Sequence, residues 1–179
     1  MVKKYLKPHI VTKKIKINLF SNRKQYQDDF LYDMLALTYY PDICVAQGTK
    51  IILADKTECA IEKVQAGQLV ISYDTERKVF SENVVKSLII HKNENTNGCY
   101  LINNCLKITG NHNLWTKNRG WVRVDKLSIG DLLLNNKTEL VPVVSLEWKK
   151  GDKTVYNLHL DSPNTYFANG ILIHNAAKS

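Results

Sequence analysis

Three clusters of residues in this chain could do covalent chemistry on a peptide backbone. Cys44 carries a thiol that can attack the carbonyl just upstream, at Ile43, and turn an amide into a thioester. Asn175 carries a side-chain amide that can attack its own backbone carbonyl, close a succinimide and release what begins at Ala176. Between them lies Thr109-Gly110-Asn111-His112, and His174 directly precedes Asn175. Each step needs an acid or a base, and His112 and His174 could supply it.

Converting an amide to a thioester runs uphill. The site must therefore polarise the Ile43–Cys44 bond and stabilise a tetrahedral oxyanion. Thr109 and His112, three residues apart on a strand and turn, can converge on that bond. His112 would protonate the departing amine and Thr109 would hydrogen-bond the scissile unit. His174 is the candidate for polarising the Asn175 carbonyl.

Plainer readings compete. A cysteine is often a small buried apolar residue, and a lone histidine is more often structural than catalytic. Position favours chemistry at Cys44, which opens a repeated unit and follows a boundary. Cys59, Cys99 and Cys105 read as core packing, because Cys99, Cys105 and His112 match no familiar zinc spacing. No metal or other cofactor is expected. His9 and His91 read as surface residues. His159 lies on the strand face opposite Leu158 and Leu160, directed either at the site or at solvent.

These residues need a scaffold, and the sequence repeats itself. Ile61–Ser72 reads against Val124–Asn135 at a constant offset of 63, with Lys63 facing Lys126 and Gly67 facing Gly130. Further on, Asn83–His91 has a counterpart in Pro142–Lys149 after a small gap. Two copies suggest a pseudo-two-fold arrangement rather than a solenoid, which needs three or more.

Strand signals dominate after residue 48. Candidate strands are Lys50–Leu53, Leu69–Tyr73, Val84–His91, Tyr100–Ile108, Trp121–Val124, Leu132–Leu134, Leu140–Glu147, Thr154–Leu160 and Gly170–Ile173. Turn residues separate them, as at Asp74–Arg77, Asn93–Gly98, Asn118–Gly120 and Asn135-Asn136. Ala60–Val64 and Val124–Leu127 read as single helical turns. The class is all-β with short connections.

The first 43 residues read differently. Ser21–Tyr40 has apolar or aromatic residues at helical spacing, with Pro41 as a stop, which predicts an amphipathic helix. Lys and Arg outnumber Asp and Glu there by eight to four. A basic head can suggest nucleic acid or an acidic membrane, but an ordinary solvated face on an upstream host segment is preferred.

Composition fits one compact domain plus an appendage. Hydrophobic residues make up 44% of the chain, which excludes disorder by composition. No apolar run approaches the length of a membrane span, and none of signal-peptide length follows the basic start. Four scattered cysteines are too few for a disulfide framework. The expected setting is the cytoplasm, with the chain a monomer.

Three blocks together resemble the splicing domain of inteins and the wider hedgehog/intein (Hint) superfamily. They are CVAQGTKIILADKTECAIEKVQAGQLVISYD from Cys44, KITGNHNLWT around Thr109 and His112, and VYNLHLDSPNTYFANGILIHN ending in His174-Asn175. The resemblance covers residues 44–175, with 1–43 as upstream flank and 176–179 as downstream flank. It implies a horseshoe-like all-β fold of two intertwined repeats and self-processing without cofactors, the substrate being the chain's own flanks in cis. No insertion is long enough for a homing endonuclease, so the likeness is to a mini-intein or a bacterial intein-like domain.

The sequence departs from the intein pattern in three places. Ala176 stands where the family has Cys, Ser or Thr as acyl acceptor. Asn157 stands where VYDL has its aspartate, with Asp161 as a candidate stand-in and His159 as a further supporting residue. Asn164 stands where a histidine is common. A natural intein-like variant and an engineered trap of an unspliced precursor both fit Ala176. Two other readings compete. One is a catalytically silent β-domain that binds a partner. The other is a sterol-transferring hedgehog-type domain, disfavoured by the terminal His-Asn pair.

Overall fold

Residues that alternate in polarity, or that are β-branched on both faces, become strands here because each can bury an apolar face against a neighbour. The computed structural model describes residues 43–92, 98–150 and 154–175, all within one compact unit. The helix expected over Ser21–Tyr40 lies outside them.

The strands are β1 (Val45–Ala46), β2 (Lys50–Ile52), β3 (Glu58–Ala60), β4 (Leu69–Asp74), β5 (Val79–Lys92), β6 (Cys99–Ile102), β7 (Leu106–Ile108) and β8 (Asn113–Thr116). They continue with β9 (Gly120–Arg123), β10 (Leu132–Leu134), β11 (Leu140–Pro142), β12 (Leu146–Lys149), β13 (Thr154–Leu160), β14 (Thr165–Ala168) and β15 (Ile171–His174). Single 3-10 turns at Ile61–Lys63 and Val124–Lys126 match the two expected helical turns.

Two expected strands are each divided. Asn103 and Asn104 take φ of 49° and 53°, a left-handed turn that asparagine tolerates, and this splits Tyr100–Ile108 into β6 and β7. The stretch Leu140–Glu147 divides into β11 and β12, which pair in different sheets. Four short strands, β1, β3, β8 and β14, had no legible alternation of their own.

Among the described residues all strand pairing is antiparallel. One sheet runs β12-β6-β7-β1-β13-β5-β4, and the other runs β11-β10-β8-β15-β14-β2-β3 with β9 paired on β8. The main core lies between them, with Ile51, Ile61, Ile108, Leu114, Leu133, Leu158 and Ile173 fully buried. Each such side chain contributes about 1.5–3 kcal/mol by leaving water.

The internal repeat is real in three dimensions. Gly67 and Gly130 have φ of 89° and 93°, a region that favours glycine. Each donates its N–H at 2.8 Å, Gly67 to the Val85 carbonyl and Gly130 to the Val143 carbonyl. Val85 and Val143 are thus equivalent, one residue out of step with a match that starts Asn83 on Pro142. The repeats exchange strands. β5 of the first copy pairs with β13 of the second, and β12 of the second pairs with β6 of the first.

The pseudo-two-fold axis passes between Val45 and Ile108, which pair with each other and are separated by the same 63 residues. One turn is therefore built twice beside the axis. Thr49 donates its N–H to the Ala46 carbonyl at 3.3 Å, and His112 donates to the Thr109 carbonyl at 3.2 Å. The Thr49 and His112 carbonyls then accept from Ile61 and Val124, each at 2.8 Å. The first copy ends at Thr49, and only the second carries an imidazole.

Candidate active site

Cys44 sits just before β1 and is fully buried. Extending the β1–β7 register puts it opposite Thr109, and extending the β1–β13 register puts it opposite Asn157. The Cys44 N–H, which is the nitrogen of the Ile43–Cys44 bond, donates to Thr109 Oγ1 at 2.9 Å. The same hydroxyl donates to the Cys44 carbonyl at 3.2 Å, and the Thr109 N–H reaches that carbonyl at 2.9 Å. Thr109 therefore holds the amide nitrogen of the Ile43–Cys44 bond. The glycine after it is constrained too, since a Cβ on Gly110 would meet Tyr100 Cε2 at 3.0 Å.

His112 follows one turn later and is fully buried, with neither ring nitrogen hydrogen-bonded among the described residues. Burial lowers its pKa to about 3, and the adjacent His174 ring pushes the same way, while backbone groups of Cys44 and His174 oppose it. The imidazole is neutral at pH 7. It can accept a proton from the thiol and then pass it to an amine, but it becomes a general acid only after it has done so.

The C-terminal residues arrive through the second sheet. β15 pairs with β8 so that His174 lies opposite Asn113, next to His112 in sequence. The His174 ring packs edge-on against Trp121 at 5.0 Å between centroids, and burial lowers its pKa. Asn175 is buried, and its N–H donates to the Asn164 carbonyl at 2.7 Å. Its side chain lies between two groups of β13. Nδ2 donates to the Leu158 carbonyl, and Oδ1 accepts from Asn157 Nδ2 at 2.8 Å. Asn157 thus touches Asn175 on one side and lies across the β1–β13 strand pair from Cys44 on the other.

Not every candidate converges. The Asp161 carboxylate faces Lys86 at 2.5 Å on an exposed surface, so it does not stand in for the family's aspartate. His159 shares the strand face of Asn157 but is partly exposed. Ala176 lies outside the described residues. Among the other thiols, Cys99 is buried in a small cluster with Cys44 and Val155, and Cys59 packs against the main core. Cys105 is exposed in the turn between β6 and β7, contrary to the expected core position. None of the four cysteines is in a disulfide, and among the described residues no group of three His, Cys, Asp or Glu could hold a metal.

Two residues at the site had no sequence signal. Tyr166, fully buried on β14, donates its hydroxyl to Asn157 Oδ1 at 3.0 Å. Trp121 covers His174. An aromatic in a strand reads as core, and only the pairing of distant segments shows otherwise.

Comparison with known proteins gives the family and the fold. Residues 51–176 match the family described as the pretoxin HINT domain. Among solved structures, the chain is similar to a bacterial intein-like domain from Clostridium thermocellum, at 29% identity and a TM-score of 0.65, over 75% of this chain and 98% of that one. It shares its fold with a DnaB intein from Synechocystis sp. PCC 6803, at 20% identity and a TM-score of 0.65, over 75% of this chain and 99% of that one. No curated protein matches it. Among the described residues, no helix is long and apolar enough to cross a membrane. A family match running from β2 to the end of the His174-Asn175 pair, on a fold shared with inteins, leads to one conclusion: the chain belongs to the pretoxin HINT domain family of the Hint superfamily.

Proposed function

We propose that residues 44–175 form a single-turnover domain that cuts the chain's own backbone at both of its ends. At the first site the Cys44 thiol attacks the Ile43 carbonyl carbon. A C–S bond forms, the Ile43–Cys44 C–N bond breaks, and the freed Cys44 amine takes up a proton. His112 carries that proton from sulfur to nitrogen, and Thr109 holds the nitrogen in place. Water or an added thiol then opens the thioester and frees residues 1–43. At the second site Asn175 cyclises and releases the segment that begins at Ala176, with His174 assisting at the carbonyl.

One observation carries this reading. Residues from the start, middle and end of the domain meet at one place: Thr109 grips the Cys44 nitrogen across 65 positions, and Asn157, opposite Cys44, holds the Asn175 side chain. Ala176 has no hydroxyl or thiol to accept an acyl group, so the outcome is cleavage rather than ligation. Membership of a pretoxin family fits a precursor whose parts separate, and favours a natural variant over a trapped splicing precursor. The substrate is the chain's own flanks, and neither step calls on a metal or nucleotide.

Mass spectrometry of the purified precursor tests it. Incubation should produce a species ending in a succinimide at residue 175, lighter by the free peptide Ala176–Ser179, and dithiothreitol should release residues 1–43. A precursor that stays intact through both treatments would return the chain to the reading of a silent binding domain.

A further inference from the structure

Leu158 orients two side-chain amides at once. Its N–H donates to Asn157 at 2.8 Å, and a backbone N–H must face the Oδ1 of that amide. Its carbonyl accepts from Asn175, and a carbonyl must face Nδ2. Only one polarity then remains between the side chains: Asn157 Nδ2 donates to Asn175 Oδ1 at 2.8 Å. Tyr166 adds a second lock, donating to the same Asn157 Oδ1 at 3.0 Å. Burial, followed by the nearby Cys44, raises the pKa of that phenol, so it remains a donor at any working pH.

We infer that Asn157 is a catalytic residue of the C-terminal step, stabilising the charge that develops on Asn175 Oδ1, and that Tyr166 is the positioning residue that aims it. The inference rests on the cyclisation proposed above. When Nδ2 bonds to the Asn175 carbonyl carbon it gives up one proton. The bond to the Ala176 nitrogen breaks, and that nitrogen leaves as an amine carrying one proton more. While Nδ2 is losing its proton, negative charge spreads through the amide onto Oδ1, which becomes an imidate oxygen. A preorganised donor in a buried site acts most strongly on charge of that kind. The Leu158 carbonyl meanwhile holds the nucleophilic nitrogen.

This gives Asn157 a use that an ionised aspartate could not have. A carboxylate there would set an acceptor against an acceptor, and only its protonated form could donate to Oδ1. Asn157 is in this sense the working residue, and no stand-in such as Asp161 is needed.

The test compares C-terminal cleavage rates, read as loss of Ala176–Ser179 by mass spectrometry, across pH 5–8. Asn157→Asp should be slower than wild type by roughly 10²–10³-fold at pH 8, the cost of losing one such donor. Protonation restores a donor, so the ratio of variant to wild-type rate should rise toward the acid end of that range. Burial of the carboxyl there opposes the Leu158 and Tyr166 donors that favour its charge. Tyr166→Phe should be several-fold slower at every pH, with no such rise. Asn157→Asp cleaving at the wild-type rate at pH 8, or with a ratio that falls as pH falls, would overturn the inference while leaving self-processing intact. If circular dichroism shows Asn157→Asp unfolded, Tyr166→Phe decides, and a wild-type rate there overturns it. A wild-type chain that never sheds residues 176–179 would overturn the cyclisation and this inference with it.

Discussion

His112 should make the folded domain sensitive to acid, and the size of the effect follows from its burial. The ring is fully buried, and its pKa falls from 6.5 to about 3. Between those values the unfolded chain binds a proton that the folded chain refuses. Stability is therefore complete above the unfolded value and falls as pH drops, until the folded group itself titrates. From pH 7 to pH 4 the loss spans about 2.5 units below the unfolded value, or about 3 kcal/mol at ~1.4 kcal/mol per unit. A typical domain has only ~5–15 kcal/mol in total. The comparison is with His112→Leu, which removes the titration and keeps a bulky apolar group. Both proteins would carry Cys44→Ala and Asn175→Ala to prevent processing. Urea unfolding followed by tryptophan fluorescence reads the domain itself, because Trp115, Trp121 and Trp148 all lie within it. The parent should lose about 3 kcal/mol more than the Leu variant over that range. Parallel stability curves would mean that His112 is charged or solvated in the folded state, and the proton relay assigned to it would fall.

Three further outcomes follow from the geometry. Cys44→Ala should abolish release of residues 1–43 by dithiothreitol, read on a reducing gel, and equal release in that variant would exclude the thioester. Thr109→Val keeps the shape but strands a buried Cys44 N–H. It should cost ~1–3 kcal/mol in urea unfolding and slow thiol-dependent cleavage, whereas an unchanged rate would limit Thr109 to packing. Among the histidines, His112→Ala should slow N-terminal cleavage by roughly 10²–10⁴-fold while His91→Ala and His159→Ala stay near wild type. Normal cleavage in His112→Ala would show that the Thr109–His112 pair had been misread.

Much of this was legible without coordinates, because reactive chemistry constrains residue type. The proposed steps call for a nucleophile, a hydrogen-bonding hydroxyl, an imidazole and a carboxamide, and Cys44, Thr109, His112, His174 and Asn175 carry such groups in order along the chain. The repeat was legible for a similar reason. Gly67 and Gly130 mark two copies of one backbone shape, and a φ near 90° leaves little choice of residue. The strands Leu132–Leu134 and Thr154–Leu160 were exact because their polarity patterns are local.

The remainder depended on partners far apart in sequence. Nothing near Asn157 says whether its amide or the carboxylate of Asp161 meets Asn175. The β13 pairing decides that, holding Asn157 on the buried face while Asp161 lies past the strand end, paired with Lys86 on the surface. Tyr166 reads as core until β14 lies beside β13 and its hydroxyl finds Asn157. The depressed pKa of His112 is likewise a tertiary property. The ring is the same in any histidine, and only closure of the two sheets over it removes the water that would keep it charged.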